Sequence, residues 1–223
     1  MVDRITPAAN STRSVRVPCA DVMLNGDLTI PETAGGLVLF VHGSGSSRHS
    51  PRNRRVAEQL REGGLATLLF DLLTHSEEVI DNRNAELRFD IGLLASRVSA
   101  VTQWLRNEPA TRGRKIGYFG ASTGAAAALV AAAQQPFDVA AIVSRGGRAD
   151  LAGEALAYVT APTLLIVGGA DSIVLELNEQ ALARLRCERQ LQIVDGATHL
   201  FEEPGALDQV AQLARAWFKR HLS

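Results

Sequence analysis

The sequence predicts an α/β fold, in which a mostly parallel central sheet is covered by helices on both faces. The first observation is a series of short runs of consecutive apolar residues, which is typical of strands buried on both faces. The runs lie at residues 37–41, 66–70, 116–119, 139–143, 163–167 and 191–194. The second observation is that segments of helical period separate them, such as the one with Ile91, Leu94, Val98, Val101 and Leu105. Strands that alternate with helices indicate a parallel sheet.

Turn and cap residues predict two further elements. Residues 15–17, 22–24 and 28–30 have strand character, and the Asn25-Gly26 pair is typical of a hairpin turn, so we expect an N-terminal antiparallel hairpin. Farther along, Ser50 and Pro51 suit the N-cap and first residue of a helix, and Gly63-Gly64 suits its end. These residues predict a helix over Pro51–Glu62.

Composition sets broad limits on the class of protein. The 223 residues, 46% of them hydrophobic, are expected to form one domain over 1–223. The connection between the strands at 139–143 and 163–167 is short, which leaves no room for a large lid. The chain has 23 Lys and Arg and 24 Asp and Glu, a net charge of -1. This charge creates no positive electrostatic potential that would attract nucleic acid, so nucleic-acid binding is not expected.

No apolar run of the sequence suits a signal peptide or a membrane span, so we expect a cytoplasmic protein without a membrane partner. Cys19 and Cys187 lack the spacing of a metal site or a redox pair and are expected to be free thiols. The sequence leaves the oligomeric state open between monomer and dimer.

The sharpest motif is Gly120-Ala121-Ser122-Thr123-Gly124, which follows one predicted strand and precedes an alanine-rich helix. This is the G-x-S-x-G pattern of a nucleophile elbow, in which a serine occupies a tight strand-to-helix turn. Small residues on either side allow the neighbouring backbone to approach closely. We therefore predict that Ser122 is a nucleophile; the alternative is a glycine-rich turn with an idle serine.

A serine hydroxyl needs a base and an acid that orients the base. In proteins with this motif, the acid (Asp) and then the base (His) follow later in the chain. Asp171 follows the strand at 163–167, and His199 follows the strand at 191–194. These residues complete a predicted Ser-His-Asp triad, in which Asp171 would hold the tautomer of His199. The alternatives are a helix N-cap for Asp171 and a polar loop residue for His199; Asp150 and Asp195 are weaker candidates for the acid.

The loop after residues 37–41 reads His42-Gly43-Ser44-Gly45, and its glycines would let backbone N–H groups approach the nucleophile. We expect the oxyanion hole to combine the amide of Thr123, at a helix N-terminus, with the amide of Ser44. An ordinary flexible loop is the alternative for Ser44. His42 is expected to be structural, and no phosphate-binding or dinucleotide-binding motif is present.

Several cationic residues fall in loops near the expected site, among them Arg48, His49, Arg52, Arg145 and Arg148. Arginine suits a carboxylate or phosphate, so Arg145 and Arg48 are candidates for binding an anionic group on the substrate. The alternative is that these arginines are solvated or paired with acidic side chains. The segment 74–90 is long for a connection and either borders the pocket or forms a solvated loop.

With these residues in place, the chain resembles the α/β-hydrolase superfamily over nearly its whole length, and within it a dienelactone-hydrolase-like subgroup. The strings HGSGSSRHSPRN, GYFGASTGAAAA, SRGGR and GATHLFEEPG carry this resemblance. It implies an α/β-hydrolase fold and a compact hydrolase without cofactor or metal. Some similar sequences are joined to a phosphoribosyltransferase domain. Dienelactone hydrolases proper use a cysteine nucleophile, whereas Ser122 stands at the matching position here.

Together these observations predict a serine hydrolase that cleaves an ester, lactone or thioester bond of a small substrate through an acyl-serine intermediate. The alternative is a non-catalytic binding module on the same scaffold, because a fold does not dictate an activity.

Overall fold

A computed structural model describes residues 12–223, which form an eight-stranded sheet flanked by helices. The strands are β1 (Thr12–Cys19), β2 (Val22–Thr29), β3 (Leu37–Val41), β4 (Ala66–Phe70), β5 (Ile116–Ala121), β6 (Ala141–Arg145), β7 (Thr163–Gly168) and β8 (Arg189–Val194). Their order is β1-β2-β4-β3-β5-β6-β7-β8, and all pairings from β4 to β8 are parallel. The antiparallel pairings of β1 with β2 and of β2 with β4 complete the predicted fold class.

The helices are α1 (Pro51–Glu62), α2 (His75–Asn84), α3 (Ile91–Asn107), α4 (Thr123–Gln134), α5 (Ser172–Arg184) and α6 (Ala206–Leu222). Short 3-10 segments occupy Leu87–Phe89 and Ala149–Tyr158. Helix α1 has the predicted bounds, and the Ser50 hydroxyl caps it by accepting a hydrogen bond from the Asn53 amide at 3.3 Å. The connection from β6 to β7 holds only one of the 3-10 segments, as expected for a fold without a large lid.

The hydrophobic core lies on both faces of the sheet. Alternate residues of each buried strand enter opposite clusters: Leu39 packs on the face covered by α3 and α4, and Phe40 on the face covered by α1 and α6. The strands β3, β4, β5 and β7 are buried at every position, which explains their continuous apolar sequences. Both layers leave the carboxyl ends of the parallel strands at one edge, where open α/β sheets bind ligands.

The N-terminal hairpin is present, but the predicted position of its turn was wrong. The turn falls at Ala20 and Asp21, while Asn25 and Gly26 lie inside β2, where Gly26 pairs with Val15. A Cβ on Gly26 would lie 3.0 Å from Leu68 Cδ1. This glycine therefore marks a close approach of β2 to β4 rather than a turn.

The segment 74–90 folds into α2 and a 3-10 segment instead of an open loop. Thr74 and Glu77 form a capping box at the start of α2, in which each side chain bonds the backbone of the other residue. Cys19 and Cys187 are free thiols, as predicted. Within residues 12–223, none of the helices combines the length and the hydrophobicity that a membrane-spanning segment needs. The expectation that the chain starts without a signal peptide concerns residues 1–11 in part, and these lie outside the described part of the chain.

Candidate active site at the carboxyl edge of the sheet

Ser122 occupies the sharp turn between β5 and α4. Its backbone angles, φ 51° and ψ -127°, fall in a region that a non-glycine residue adopts only at a cost of about 1–3 kcal/mol. The flanking glycines explain how the turn fits. A Cβ on Gly120 would lie 2.5 Å from Ala125 Cα, and one on Gly124 would lie 2.3 Å from the carbonyl oxygens of Val41 and His42. The strand-to-helix geometry is thus that of a nucleophile elbow.

Asp171 and His199 meet at the same edge of the sheet. The Nδ1 of His199 lies 2.7 Å from Asp171 Oδ2, with 39% and 16% of the two side chains exposed. Asp171 does occupy the N-cap position of α5, but its side chain makes no capping hydrogen bond. Its carboxylate therefore orients the imidazole and does not cap the helix, and within the described residues 12–223 Nε2 of His199 is the ring nitrogen that has no partner.

The imidazole of His199 lies near the elbow without bonding it. A Cβ on Gly146 would lie 3.6 Å from His199 Cε1, and the residue before Gly146 accepts a hydrogen bond from the Ser122 amide. Among residues 12–223 there is no hydrogen bond between Ser122 and His199. Nucleophile-to-base contacts are often long in ligand-free enzymes and tighten when substrate binds. Asp150, the weaker candidate for the acid, binds Arg148 instead, at 2.9 Å.

The loop after β3 lies directly against the elbow. A Cβ on Gly43 would lie 2.9 Å from Ser122 Cβ. The amide of Ser44 donates to the Thr123 hydroxyl at 2.9 Å, so this expected oxyanion donor is occupied in the ligand-free chain. The amide of Thr123 belongs to the first residue of α4 and has no partner within the helix. Among residues 12–223, the Thr123 N–H thus has no hydrogen-bond partner, while the Ser44 N–H becomes available only when the Thr123 side chain rotates away.

His42 links the ends of β3 and β4. Its Nε2 accepts the Leu72 amide at 3.0 Å, and Nδ1 lies 2.9 Å from the Gly43 carbonyl oxygen. Nε2 is therefore unprotonated, and Nδ1 carries the proton. Burial lowers the pKa of His42 and keeps it neutral, although the Gly43 carbonyl and Asp71 act in the opposite direction. The residue fixes the loop that lies over Ser122, as expected for a structural histidine.

A cavity of about 550 Å³ opens beside the elbow. Its floor is apolar, with Leu72, Leu73 and Leu94, and one wall is the 43–47 loop. The segment 74–90 forms part of the rim with charged and polar side chains. Ser122 and His199 do not line this space, which reaches the elbow through Gly43 and Ser44. The cavity is large enough for a small organic molecule.

The two arginines predicted to bind substrate lie elsewhere. Arg48 pairs with Asp71 and lies 3.5 Å from Asp27, and it does not line the cavity. Arg145 is buried, with its guanidinium 5.9 Å from the centre of the Phe201 ring. Burial lowers the pKa of Arg145 to about 10, and neighbouring positive charge adds to this effect.

Arg88 belongs to the 74–90 segment, for which one interpretation was that it borders the pocket, and it does line the cavity, although it was not among the residues predicted to bind substrate. Its Nε bonds Asp81 at 2.5 Å, while Nη1 is directed at the 43–47 loop, 3.7 Å from where a Cβ on Gly45 would lie. In the sequence, the only feature that placed Arg88 near the cavity was its position in the long 74–90 segment. Among the described residues, no group of three or more His, Cys, Asp or Glu is placed to hold a metal ion.

A sequence model of the dienelactone hydrolase family matches residues 28–222, a range that contains Ser122, Asp171 and His199. The chain belongs to the dienelactone hydrolase family. The sheet order and the elbow described above agree with this membership.

Similar proteins span a wide range of identity. The crystal structure of a dienelactone hydrolase from Anabaena variabilis is 59% identical, with a TM-score of 0.95, and the match covers 96% of this chain and all of that one. Est1E from Butyrivibrio proteoclasticus has a TM-score of 0.77 over 93% of this chain and 98% of its own, but at 17% identity it shows only the fold.

A Mycobacterium tuberculosis protein named "Putative phosphoribosyl transferase" is 60% identical over 208 residues. The match covers 93% of this chain but only 46% of that protein, so this chain spans about half of the relative's length. The transferase name is given to the whole of the longer protein.

Proposed function

We propose that this chain hydrolyses a carboxylic ester or a related acyl bond, such as a lactone or thioester, through an acyl intermediate on Ser122. The observation that carries the proposal is the 2.7 Å contact between His199 Nδ1 and Asp171 Oδ2, beside a strained serine on an elbow. The Asp171 carboxylate makes this contact and does not cap α5, although Asp171 occupies the N-cap position of that helix. Family membership and the Anabaena variabilis structure support hydrolysis of ester or lactone bonds.

In the proposed reaction, Nε2 of His199 accepts the proton of Ser122 Oγ as this oxygen attacks the acyl carbon. The Thr123 amide stabilises the negative oxygen that develops, helped by the N-terminal dipole of α4. The Ser44 amide adds a second donor once the Thr123 hydroxyl turns away. His199 then gives its proton to the leaving alcohol or thiol, and a water molecule activated by His199 releases the acid.

We propose that the substrate is a small molecule bound in the cavity beside the elbow, with its apolar part on the leucine floor. An anionic group on this substrate would meet Arg88 and Arg52, which line the cavity, rather than Arg48, which does not. Arg52 is also held by Glu202, at 3.1 Å. Of the arginines at this edge, Arg88 is the one whose Nη1 is directed at the loop beside Ser122.

The proposal is tested with a fluorophosphonate probe, which reacts covalently with activated serines. We expect one adduct on Ser122 in the native protein, none in Ser122→Ala, and slow labelling in His199→Ala. Turnover of p-nitrophenyl esters should likewise be highest in the native protein, lower in His199→Ala and lowest in Ser122→Ala. Equal turnover by the native protein and His199→Ala would contradict the proposal and favour a binding module.

A further inference from the structure

The turn that follows β6 bonds the backbone of Ser122 and lies close to the imidazole of His199. The Ser122 amide donates to the Arg145 carbonyl at 3.3 Å, and the Arg148 amide donates to the Ser122 carbonyl at 3.0 Å. Between them, Gly146 packs against His199, since a Cβ there would lie 3.6 Å from His199 Cε1. The 145–148 turn therefore fixes the backbone of the serine and limits where the imidazole can lie.

The side chain of Arg145 anchors this turn in the interior. It is 7% exposed, donates to Asn53 Oδ1 at 3.4 Å and lies over the Phe201 ring at 5.9 Å, within cation–π range. Across residues 12–223 no carboxylate pairs with it, the charged neighbour that affects its pKa being Arg52, and its Nε is buried without a partner. A buried guanidinium without a counter-ion is costly, so its presence calls for an explanation by function.

Phe201 is the residue through which Arg145 reaches the histidine. It is 1% exposed and has φ 57°, a conformation that an aromatic residue keeps only where packing enforces it. Its amide donates to the Thr198 carbonyl at 3.2 Å and so closes the turn that carries His199. A Cβ on Gly146 would lie 3.3 Å from the Phe201 ring.

We propose that Arg145 is a positioning residue, whose side chain holds Phe201, and with it the His199 turn, in register with Ser122. The same residue bonds the serine through its carbonyl, so one arginine sets the position of both groups. The inference rests on the proposed function. It replaces the predicted substrate contact, because the Arg145 side chain does not line the cavity.

The test compares kcat and KM of Arg145→Met on a neutral ester, p-nitrophenyl acetate, and an anionic one, p-nitrophenyl hemisuccinate. Misplacement of a catalytic group by 1 Å costs about 100-fold, so we expect kcat to fall roughly 10- to 100-fold on both esters. KM should change little. Arg145→Lys keeps the cation and should recover part of kcat. Arg186→Met, at an exposed position far from this edge, should leave both constants unchanged.

A double-mutant cycle with Phe201→Leu tests the route of the effect. If Arg145 acts through Phe201, the double variant should lose no more kcat than the worse single variant, because the two changes break one contact. Near-ultraviolet circular dichroism and the urea midpoint confirm that each variant is folded at the assay temperature. If Arg145→Met does not fold, Arg145→Lys takes its place in the cycle.

Three results would overturn the inference: unchanged kcat in every Arg145 variant, independent effects of Arg145 and Phe201, or a rise in KM confined to the anionic ester. The last result would make Arg145 a substrate ligand. The proposed function fails separately, if Ser122→Ala turns over esters as fast as the native protein.

Discussion

Replacement of Gly124 by alanine tests the close contact between the elbow helix and β3. A Cβ at this position would lie 2.3 Å from the carbonyl oxygens of Val41 and His42, whereas ordinary contact begins at 3.4 Å. The two elements must therefore separate by roughly 1 Å. Strain of this kind costs about 1–3 kcal/mol, of which the higher helix propensity of alanine offsets up to about 1 kcal/mol. The same displacement moves the 43–47 loop away from Ser122 and should lower kcat about 100-fold.

The matched control is Gly92→Ala. Gly92 is likewise the second residue of a helix, but the nearest atom to its added Cβ lies at 3.4 Å. We expect this variant to be about 0.5–1 kcal/mol more stable than the native protein, with unchanged activity. Urea unfolding and ester turnover measure both effects. If the two alanine variants matched each other in stability and turnover, the reasoning from close approach at the elbow would be refuted.

Three further predictions concern the same site. Asp171→Asn should lower kcat about a thousandfold or more and leave the urea midpoint nearly unchanged, because the imidazole loses its tautomer while α5 loses no cap; a small effect on kcat would remove Asp171 from the triad. The pKa of His42 is below its usual 6.5, so the unfolded chain takes up a proton below about pH 6.5 while the folded chain does not. Stability should therefore fall with pH below this value, by up to about 1.4 kcal/mol per unit until the folded pKa is reached, and urea titrations of His42→Asn should lack that part of the slope. Ser122→Gly should be about 1–2 kcal/mol more stable than Ser122→Ala, because glycine tolerates the backbone angles of the elbow; equal unfolding energies would argue against strain there.

The sequence was most informative at positions where a residue type strongly favours one local backbone conformation. Ser50-Pro51 and Gly63-Gly64 gave both ends of α1, and the glycines around Ser122 gave the elbow, because each depends on conformations available to few residues. The fully buried strands were equally clear. Their apolar runs follow from cover on both faces, which is a property of the whole sheet.

The turn of the hairpin could not be found by the same rules. Ala20 adopts φ 52°, although alanine carries no preference for it, and the Asn25-Gly26 pair lies within a strand. The reason for Gly26 is the side chain of Leu68, which is distant in sequence. Local pattern and tertiary packing compete at such positions, and packing prevails.

The arginines illustrate the same limit for the site. The sequence does not show that Arg48 has carboxylate partners, because Asp27 lies within β2 and Asp71 directly follows β4, both distant along the chain. Arg145 has the positive charge that an anionic substrate needs and lies at the end of β6, at the expected edge of the sheet, yet its side chain is buried. For Asp171 the sequence left open the choice between helix cap and triad acid, and the contact with His199 is what favours the acid.

The most direct measurement follows the reaction itself under rapid mixing with excess p-nitrophenyl acetate. We expect a burst of nitrophenol of about one equivalent per chain when deacylation is slow, together with an acetylated peptide containing Ser122 after acid quench. Steady turnover with no acyl-peptide, or an acetyl group on another residue with undiminished turnover, would contradict a covalent route through this serine.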